Sequence, residues 1–396
     1  MRIVYLNAQH LPTTEVDSHQ VVKTVSALAA EGADIELIVP HPLAWHRRTV
    51  NELEEQVRRY YAVRHPFKLR PVPTMMRTPW QMERAVAAFI ATAGLRFRPG
   101  FDILYIRNYL CTLSAYAAGL HFVLEAHRLL PKHYPGRARA VRRMRERNRI
   151  TGVVTNGDMI TKVFLDLGFS PEQVLTAHNG FDPQDLEPLR TREEARAQLK
   201  LHPDEHIVFY GGHLQPHKGV DIFIELARQT PDIKYVLAGG TPRDLEWFKT
   251  LMSPYELKNL QLLGWKPHGE LVDYMYASDV LIIPPSSAPL WEYGRTTYPM
   301  KLYGYLATGR PIVAPRTPDV AEVIKDGETG FLVRPDDPQH TADVLRKVFG
   351  DPGYAERIGT AAQEAAQQFT WRRRAQLILA HLENLLSRRS GREGGR

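Results

Sequence analysis

The chain has 396 residues, 43% of them apolar and 24% charged. That is the composition of a globular protein and more length than one typical core accommodates, so two domains are expected. No apolar run is long enough to span a bilayer. The single cysteine, Cys111, excludes an internal disulfide and a Cys-rich zinc site. The formal charge of +7 points to an anionic partner.

The first half alternates strand and helix patterns. Arg2 to Leu6 reads as a strand with no signal-peptide pattern, which together with the lone cysteine suggests a cytoplasmic protein. His19 to Glu31 is a helix ending at Gly32, and Asp34 to Val39 is a strand. Asn51 to Arg64 is a polar helix. Thr78 to Arg96 is another, with Trp80, Ala85, Ala88, Phe89 and Ala93 as its buried positions. Phe101 to Ile106, His121 to Glu125, Val153 to Thr155 and Val174 to Ala177 are strands. Such βα alternation predicts a parallel sheet covered on both faces.

Asn179-Gly180-Phe181-Asp182-Pro183 is a turn-forming break and marks the domain boundary. The expected units are 1–182 and 183–371. A helix over 372–386 crosses back to the first unit, with Leu377, Leu382 and Leu385 as contacts. A basic tail over 387–396 is expected to be disordered. In the second unit Ile207 to Tyr210, Lys234 to Ala238, Leu260 to Leu263, Val280 to Ile283, Pro311 to Ala314 and Phe331 to Val333 are strands. The predicted fold is α/β, with two doubly wound Rossmann-like domains facing a cleft.

Two loops of the second unit could bind phosphate. One is Gly211-Gly212-His213-Leu214-Gln215-Pro216-His217-Lys218-Gly219, where glycines admit close approach and Lys218 offers a point charge. The other runs from Pro284 through Glu292 to Pro299-Met300-Lys301-Leu302, where a strand end leads into a helix N-terminus. An ordinary crossover with no ligand fits that second loop equally well.

These segments resemble a known family. Gly212-His213-Leu214 with Lys218-Gly219-Val220-Asp221, Asn179-Gly180-Phe181-Asp182, Ser278-Asp279-Val280 and Asp326-Gly327-Glu328-Thr329-Gly330-Phe331-Leu332-Val333 are similar to segments of retaining glycosyltransferases of family 4. So is Pro299-Met300-Lys301-Leu302-Tyr303 continuing to Gly309-Arg310-Pro311-Ile312-Val313-Ala314. The likeness is dense from Thr151 to Val333 and faint before it. It implies the GT-B fold, with a nucleotide-sugar donor on the second domain and a glycan or lipid-linked acceptor on the first. It places Gly212, His213 and Lys218 at the donor diphosphate and the backbone around Tyr298, Met300, Lys301 and Leu302 around the phosphates. Trp265 and Lys266 fall beside the base, and His127 near the transferred sugar. His127 and Lys218 are then the catalytic candidates.

Three departures stand out. The family's usual arginine is His213 here. The carboxylate that holds the ribose falls on Gly304, and its partner on Thr296. Glu292 and Glu322 are the nearest acids, with Glu292 the candidate replacement. The expected activity is retaining hexosyl transfer to an acceptor hydroxyl, in glycan, polysaccharide or glycolipid synthesis, with no cofactor and no metal. The alternative is a non-catalytic GT-B protein that has lost donor binding. The Arg137–Arg149 block reads either as a solvated helix or as a contact with an anionic membrane surface on the inner face. Nothing accompanies that charge to suggest nucleic-acid binding.

Overall fold

The computed structural model describes residues 1–13, 16–42, 50–74, 82–98, 100–128, 134–292 and 297–393. Two compact units divide the chain. One comprises Met1–Asn179 with Trp371–Arg396, and the other Gly180–Thr370.

The first unit is a seven-stranded parallel sheet in the order β3-β2-β1-β4-β5-β6-β7. Its strands are β1 (Arg2–Leu6), β2 (Asp34–Pro42), β3 (Lys68–Thr74), β4 (Ile103–Ile106), β5 (Phe122–Ala126), β6 (Ile150–Thr155) and β7 (Val174–Thr176). β1, β4 and β5 are almost wholly buried, as the central strands of a sheet covered on both faces must be. β3 has no counterpart among the strands expected from sequence. It carries Pro71 and Pro73, which demote a strand reading, and it lies at the sheet edge, where proline's missing N–H is tolerated.

The helix Met82–Arg96 buries Ala87, Ala88, Ala91, Thr92 and Leu95. Phe89, expected inside, is 51% exposed. The buried stripe is mostly small residues with Leu95 at its end, while Val86, Phe89 and Ile90 are exposed. Trp80 lies outside the described residues.

The second unit is a six-stranded parallel sheet in the order β10-β9-β8-β11-β12-β13. Its strands are β8 (His206–Gly211), β9 (Ile233–Ala238), β10 (Leu260–Gly264), β11 (Val280–Ile282), β12 (Ile312–Pro315) and β13 (Phe331–Val333). In both sheets the strand order reverses once, between β1 and β4 and between β8 and β11. The carboxyl ends beside such a reversal are where open α/β sheets bind ligands.

The last helix runs Trp371–Glu393, seven residues past the Leu386 end expected from sequence. Extending an established helix needs no new nucleus, so Gly, Ser and Arg content alone does not end it. Ser387 Oγ donates to the Glu383 carbonyl at 3.0 Å, a bond within the helix. Residues 394–396 lie outside the described residues. The helix buries Trp371, Ala375, Ile378, Leu382 and Leu385; Leu377 is only partly buried. No helix among the described residues is long and apolar enough to cross a membrane.

Candidate active site

In the second unit β8 ends at Gly211, whose N–H donates to the Tyr305 hydroxyl at 2.8 Å. Gly212 N–H donates to the Ala238 carbonyl at 2.8 Å, tying the β8 end to β9. A Cβ on Gly212 would lie 2.2 Å from Lys301 Nζ and 2.8 Å from the Tyr210 hydroxyl. Lys301 Nζ in turn sits 4.0 Å from the centroid of the Tyr210 ring, a cation–π contact. The sequence loops around 212 and 301 therefore meet in space, with a glycine making room for an ammonium.

The 3-10 turn Pro216–Lys218 closes at Gly219, which has φ +66°. A Cβ on Gly219 would stand 2.3 Å from Ser286 Cβ, so the β8 loop packs directly on the loop after β11. That second loop is pinned by Asp336: Ser286 Oγ donates to Oδ1 at 2.8 Å and Ser287 N–H at 3.0 Å.

The charges here are mostly cationic. Burial pushes the Lys301 ammonium down to about 7, and the Lys218 charge adds to the shift. Partial desolvation lowers the His213 imidazole too, with Lys218 and Lys301 pushing the same way and Asp244 opposing. His213 is exposed, and its carbonyl accepts from the Tyr210 hydroxyl at 2.9 Å. Among the described residues Lys301 meets no carboxylate.

The remaining residues expected at the donor are more scattered. Tyr298 has φ 39°, and its N–H donates to Asp319 Oδ2 at 2.8 Å, beside the Thr297 N–H at 2.7 Å. The Leu302 N–H donates to the Pro299 carbonyl at 3.0 Å. Those two amides are thus engaged within the fold. Met300 caps the helix Lys301–Ala307, and its carbonyl accepts the Tyr303 N–H at 3.3 Å. Trp265, 76% exposed, and Lys266, paired with Glu270 at 2.6 Å, follow β10, two strands from β8. Glu292 closes the short helix Ala288–Glu292; its side chain, like Thr296, lies outside the described residues. Glu322 is occupied by the Tyr298 hydroxyl at 2.9 and 3.0 Å. At Gly304 a Cβ would meet nothing within 4 Å.

Two family-like motif acids are structural here. Asp279 accepts from Arg192 at 2.7 Å and from Arg196 and the Ile207 N–H at 2.8 Å. Asp326 accepts the Leu332 N–H at 2.8 Å.

In the first unit His127 follows β5. Its Nε2 lies 2.7 Å from Glu125 Oε1, and Arg107 Nη2 lies 3.3 Å from its Nδ1. Glu125 is buried among Tyr5, Gln20, His127 and Arg374. Burial alone would raise its carboxyl. Arg374, the His127 hydrogen bond and Arg107 override that and hold it far below the usual range. Burial and Arg107 push His127 down to about 4, against the opposing pull of Glu125. Arg107 is anchored by Asp17, through Nη1 to its carbonyl at 2.9 Å and Nη2 to its carboxylate at 3.0 Å.

Residues 18–185 match the family model described as Glycosyltransferase Family 4, and residues 191–365 the one described as Glycosyl transferases group 1. The chain carries the two domains of a GT-B glycosyltransferase. It is 28% identical over 249 residues to the D-inositol 3-phosphate glycosyltransferase of Nocardioides sp., covering 57% of this chain and 52% of that one. It is 29% identical over 247 residues to D-inositol 3-phosphate glycosyltransferase 1 of Catenulispora acidiphila, covering 58% and 54%. The chain thus spans about half the length of the curated relatives it matches. Among solved structures, HepE of Anabaena in complex with UDP aligns with TM-score 0.73 at 18% identity, over 97% of this chain and 100% of that one. The sucrose-phosphate synthase of Thermosynechococcus elongatus aligns with TM-score 0.75 at 19% identity, over 98% and 99%. These two structural likenesses show the fold.

Sequence reasoning missed Glu125, Arg107, Asp17 and Arg374 of this GT-B chain. Glu125 did carry a signal, being the one acid in the apolar strand Phe122-Val123-Leu124-Glu125-Ala126. The others carried none, because their partners are remote in sequence. The Arg137–Arg149 block is partly structural. Arg137 lies over the Tyr134 and Tyr109 rings at 4.2 and 4.9 Å. Arg145 donates to the Gly168 carbonyl at 2.7 Å, and Arg149 to that of Gly119 at 2.6 Å. Arg139, Arg142, Arg143 and Arg147 are exposed.

Proposed function

We propose that the chain transfers a sugar from a nucleoside-diphosphate donor to an acceptor hydroxyl with retention at the anomeric carbon. The observation that carries this reading is the cationic cluster at the β8–β11 reversal. Lys301 is held against Gly212 with no carboxylate among the described residues, Lys218 raises the local potential, and His213 is beside both. A buried ammonium so placed, with a second lysine charge acting on it, is arranged for an anion. A diphosphate there would be held by Lys218 and Lys301. The structural neighbour bound to UDP makes a UDP-sugar the first donor to try. The relatives' name makes a phosphorylated polyol a reasonable first acceptor, beside glycan and lipid-linked hydroxyls.

The sugar C1–O bond to the diphosphate breaks as the acceptor oxygen bonds to C1 on the same face. The acceptor proton passes to the departing phosphate oxygen. The protein's share is positioning and stabilisation of the leaving charge, with Lys218 and Lys301 as donors. No residue of this scheme requires a metal or cofactor. We assign it to the cytoplasm, with the exposed arginines of the helix Pro135–Glu146 as a contact for anionic lipid.

The test is thermal shift and calorimetry with UDP-, GDP-, ADP- and TDP-glucose, followed by NMR of any product's anomeric centre. At least one nucleotide stabilises the protein under this reading; stabilisation by none overturns it. Gly304 favours a second reading, a binding protein without transfer, because the expected ribose contact is open space. Nucleotide binding without transfer to any acceptor hydroxyl, and without donor hydrolysis, would select that reading.

A further inference from the structure

We infer that Arg374, on the last helix of the chain, is a positioning residue for His127. Acting through Glu125, it fixes the imidazole in one orientation at the carboxyl end of β5. Only the kinetic arm of the test below rests on the transferase reading.

The geometry sets the protons. Glu125 and Arg374 form a buried ion pair, with side chains 0% and 2% exposed and Nη2 2.6 Å from Oε1. The same Oε1 accepts from Gln20 Nε2 at 2.7 Å, while Oε2 accepts from the Tyr5 hydroxyl at 3.0 Å. A carboxylate so placed is an acceptor only, so His127 Nε2, 2.7 Å away, carries the hydrogen and donates it. Nδ1 faces Arg107 Nη2, which can only donate, so Nδ1 must be the acceptor. The imidazole is therefore the neutral Nε2–H tautomer, held from both sides. A second proton would set an N–H against a guanidinium.

Each holder is itself fixed. Arg374 Nη1 donates to the Ala177 and His178 carbonyls, the latter at 3.1 Å. Arg107 is anchored by Asp17 at the start of the helix Val16–Ala30. The charged groups facing His127 are Glu125 on β5, Arg107 after β4, Arg374 on the last helix and Asp17 on the first. Tyr5 and Tyr105, raised by burial and by Glu125, stay neutral. Removing Arg374 leaves Glu125 a buried anion with only the Arg107 charge nearby, and a proton on His127 becomes its nearest compensation. The ring then becomes imidazolium and gives up its bond from Arg107.

The experiment is histidine-labelled NMR on the full chain, with His127 resonances assigned by their loss in His127→Asn. In the unmodified protein His127 is the neutral Nε2–H tautomer from pH 5.5 to 8. In Arg374→Met it titrates with a midpoint at least one pH unit higher, and in Arg374→Met with Glu125→Gln it is neutral again. An Arg374→Met spectrum with the original tautomer and no titration overturns the inference, even if the variant is less stable. Should Arg374→Met not fold, Arg374→Lys is read the same way: a smaller upward shift supports the inference, and none overturns it. In kinetics, Arg374→Lys lowers kcat about tenfold with donor KM within twofold; a change in donor KM alone overturns the positioning role. Absence of transfer by the unmodified chain would count against the transferase reading, and the NMR arm would still decide this one.

Discussion

The ammonium of Lys301 occupies the space that a side chain on Gly212 would need. A Cβ at residue 212 would fall 2.2 Å from Nζ. The same Cβ would lie 2.8 Å from the buried Tyr210 hydroxyl, so a side chain at 212 presses on a flexible ammonium and on a packed ring together. Gly212→Ala should weaken nucleoside-diphosphate binding about tenfold, ~1.4 kcal/mol, by moving Lys301. Its melting temperature should fall modestly, because the Tyr210 ring must shift as well. Gly239→Ala is the contrast, since its Cβ would meet the Gly212 carbonyl oxygen at 2.1 Å and φ is +117°. That clash is with backbone, so melting should drop by several degrees. Calorimetry and thermal melts on the pair separate the two effects.

Donor binding should weaken as pH rises. The free Lys301 ammonium is pushed down to about 7 by burial and Lys218, and a bound diphosphate pulls it back up. Above that value binding must take up a proton, so affinity falls with pH until the bound-state value is passed. Lys301→Arg should bind with a flat profile over pH 6.5 to 9, and Lys301→Met weakly throughout. The apo protein has the opposite trend from this group. Its folded value lies below the unfolded 10.5, so the unfolded chain holds more protons between the two and stability rises with pH across that window. Calorimetric titrations at four pH values check the first trend and thermal melts the second.

Breaking the Glu125–Arg374 pair from one side should be costly. Arg374→Met leaves a buried carboxylate, with an expected loss of about 3–5 kcal/mol. Arg374→Met with Glu125→Gln removes both charges and should recover most of that loss. Denaturant unfolding of the single and double variants gives the coupling directly.

Gly304 has open space where its side chain would be. Gly304→Ala should stabilise the helix Lys301–Ala307 by about 0.5–1 kcal/mol. Gly304→Glu restores the family-like carboxylate and should tighten nucleoside-diphosphate binding several-fold, if the ribose lies there. A weaker or unchanged affinity measured by calorimetry would place the ribose elsewhere.

The six strands of the second unit were legible because buried parallel strands are short apolar runs bounded by turns, as Val280-Leu281-Ile282 is. β3 was not, because Pro71 and Pro73 oppose a strand unless its edge position is known. Gly212, His213, Lys218 and Lys301 could be read from two loops on one sheet edge. That Lys301 fills the Gly212 gap could not, since the two are separated by most of a domain.

By itself the sequence determined two rounds of βα alternation and the loops on the carboxyl edge of the second sheet, because periodicity and turn chemistry act locally. It also determined the loss of a carboxylate at Gly304, which is a matter of residue identity. Tertiary structure decided the rest. Arg374 was one of three adjacent arginines until folding set its guanidinium 2.6 Å from Glu125. Asp279 and Asp326 became structural for the same reason. A charge takes its role from the dielectric and the partners around it, and those come from residues as far apart as 125 and 374.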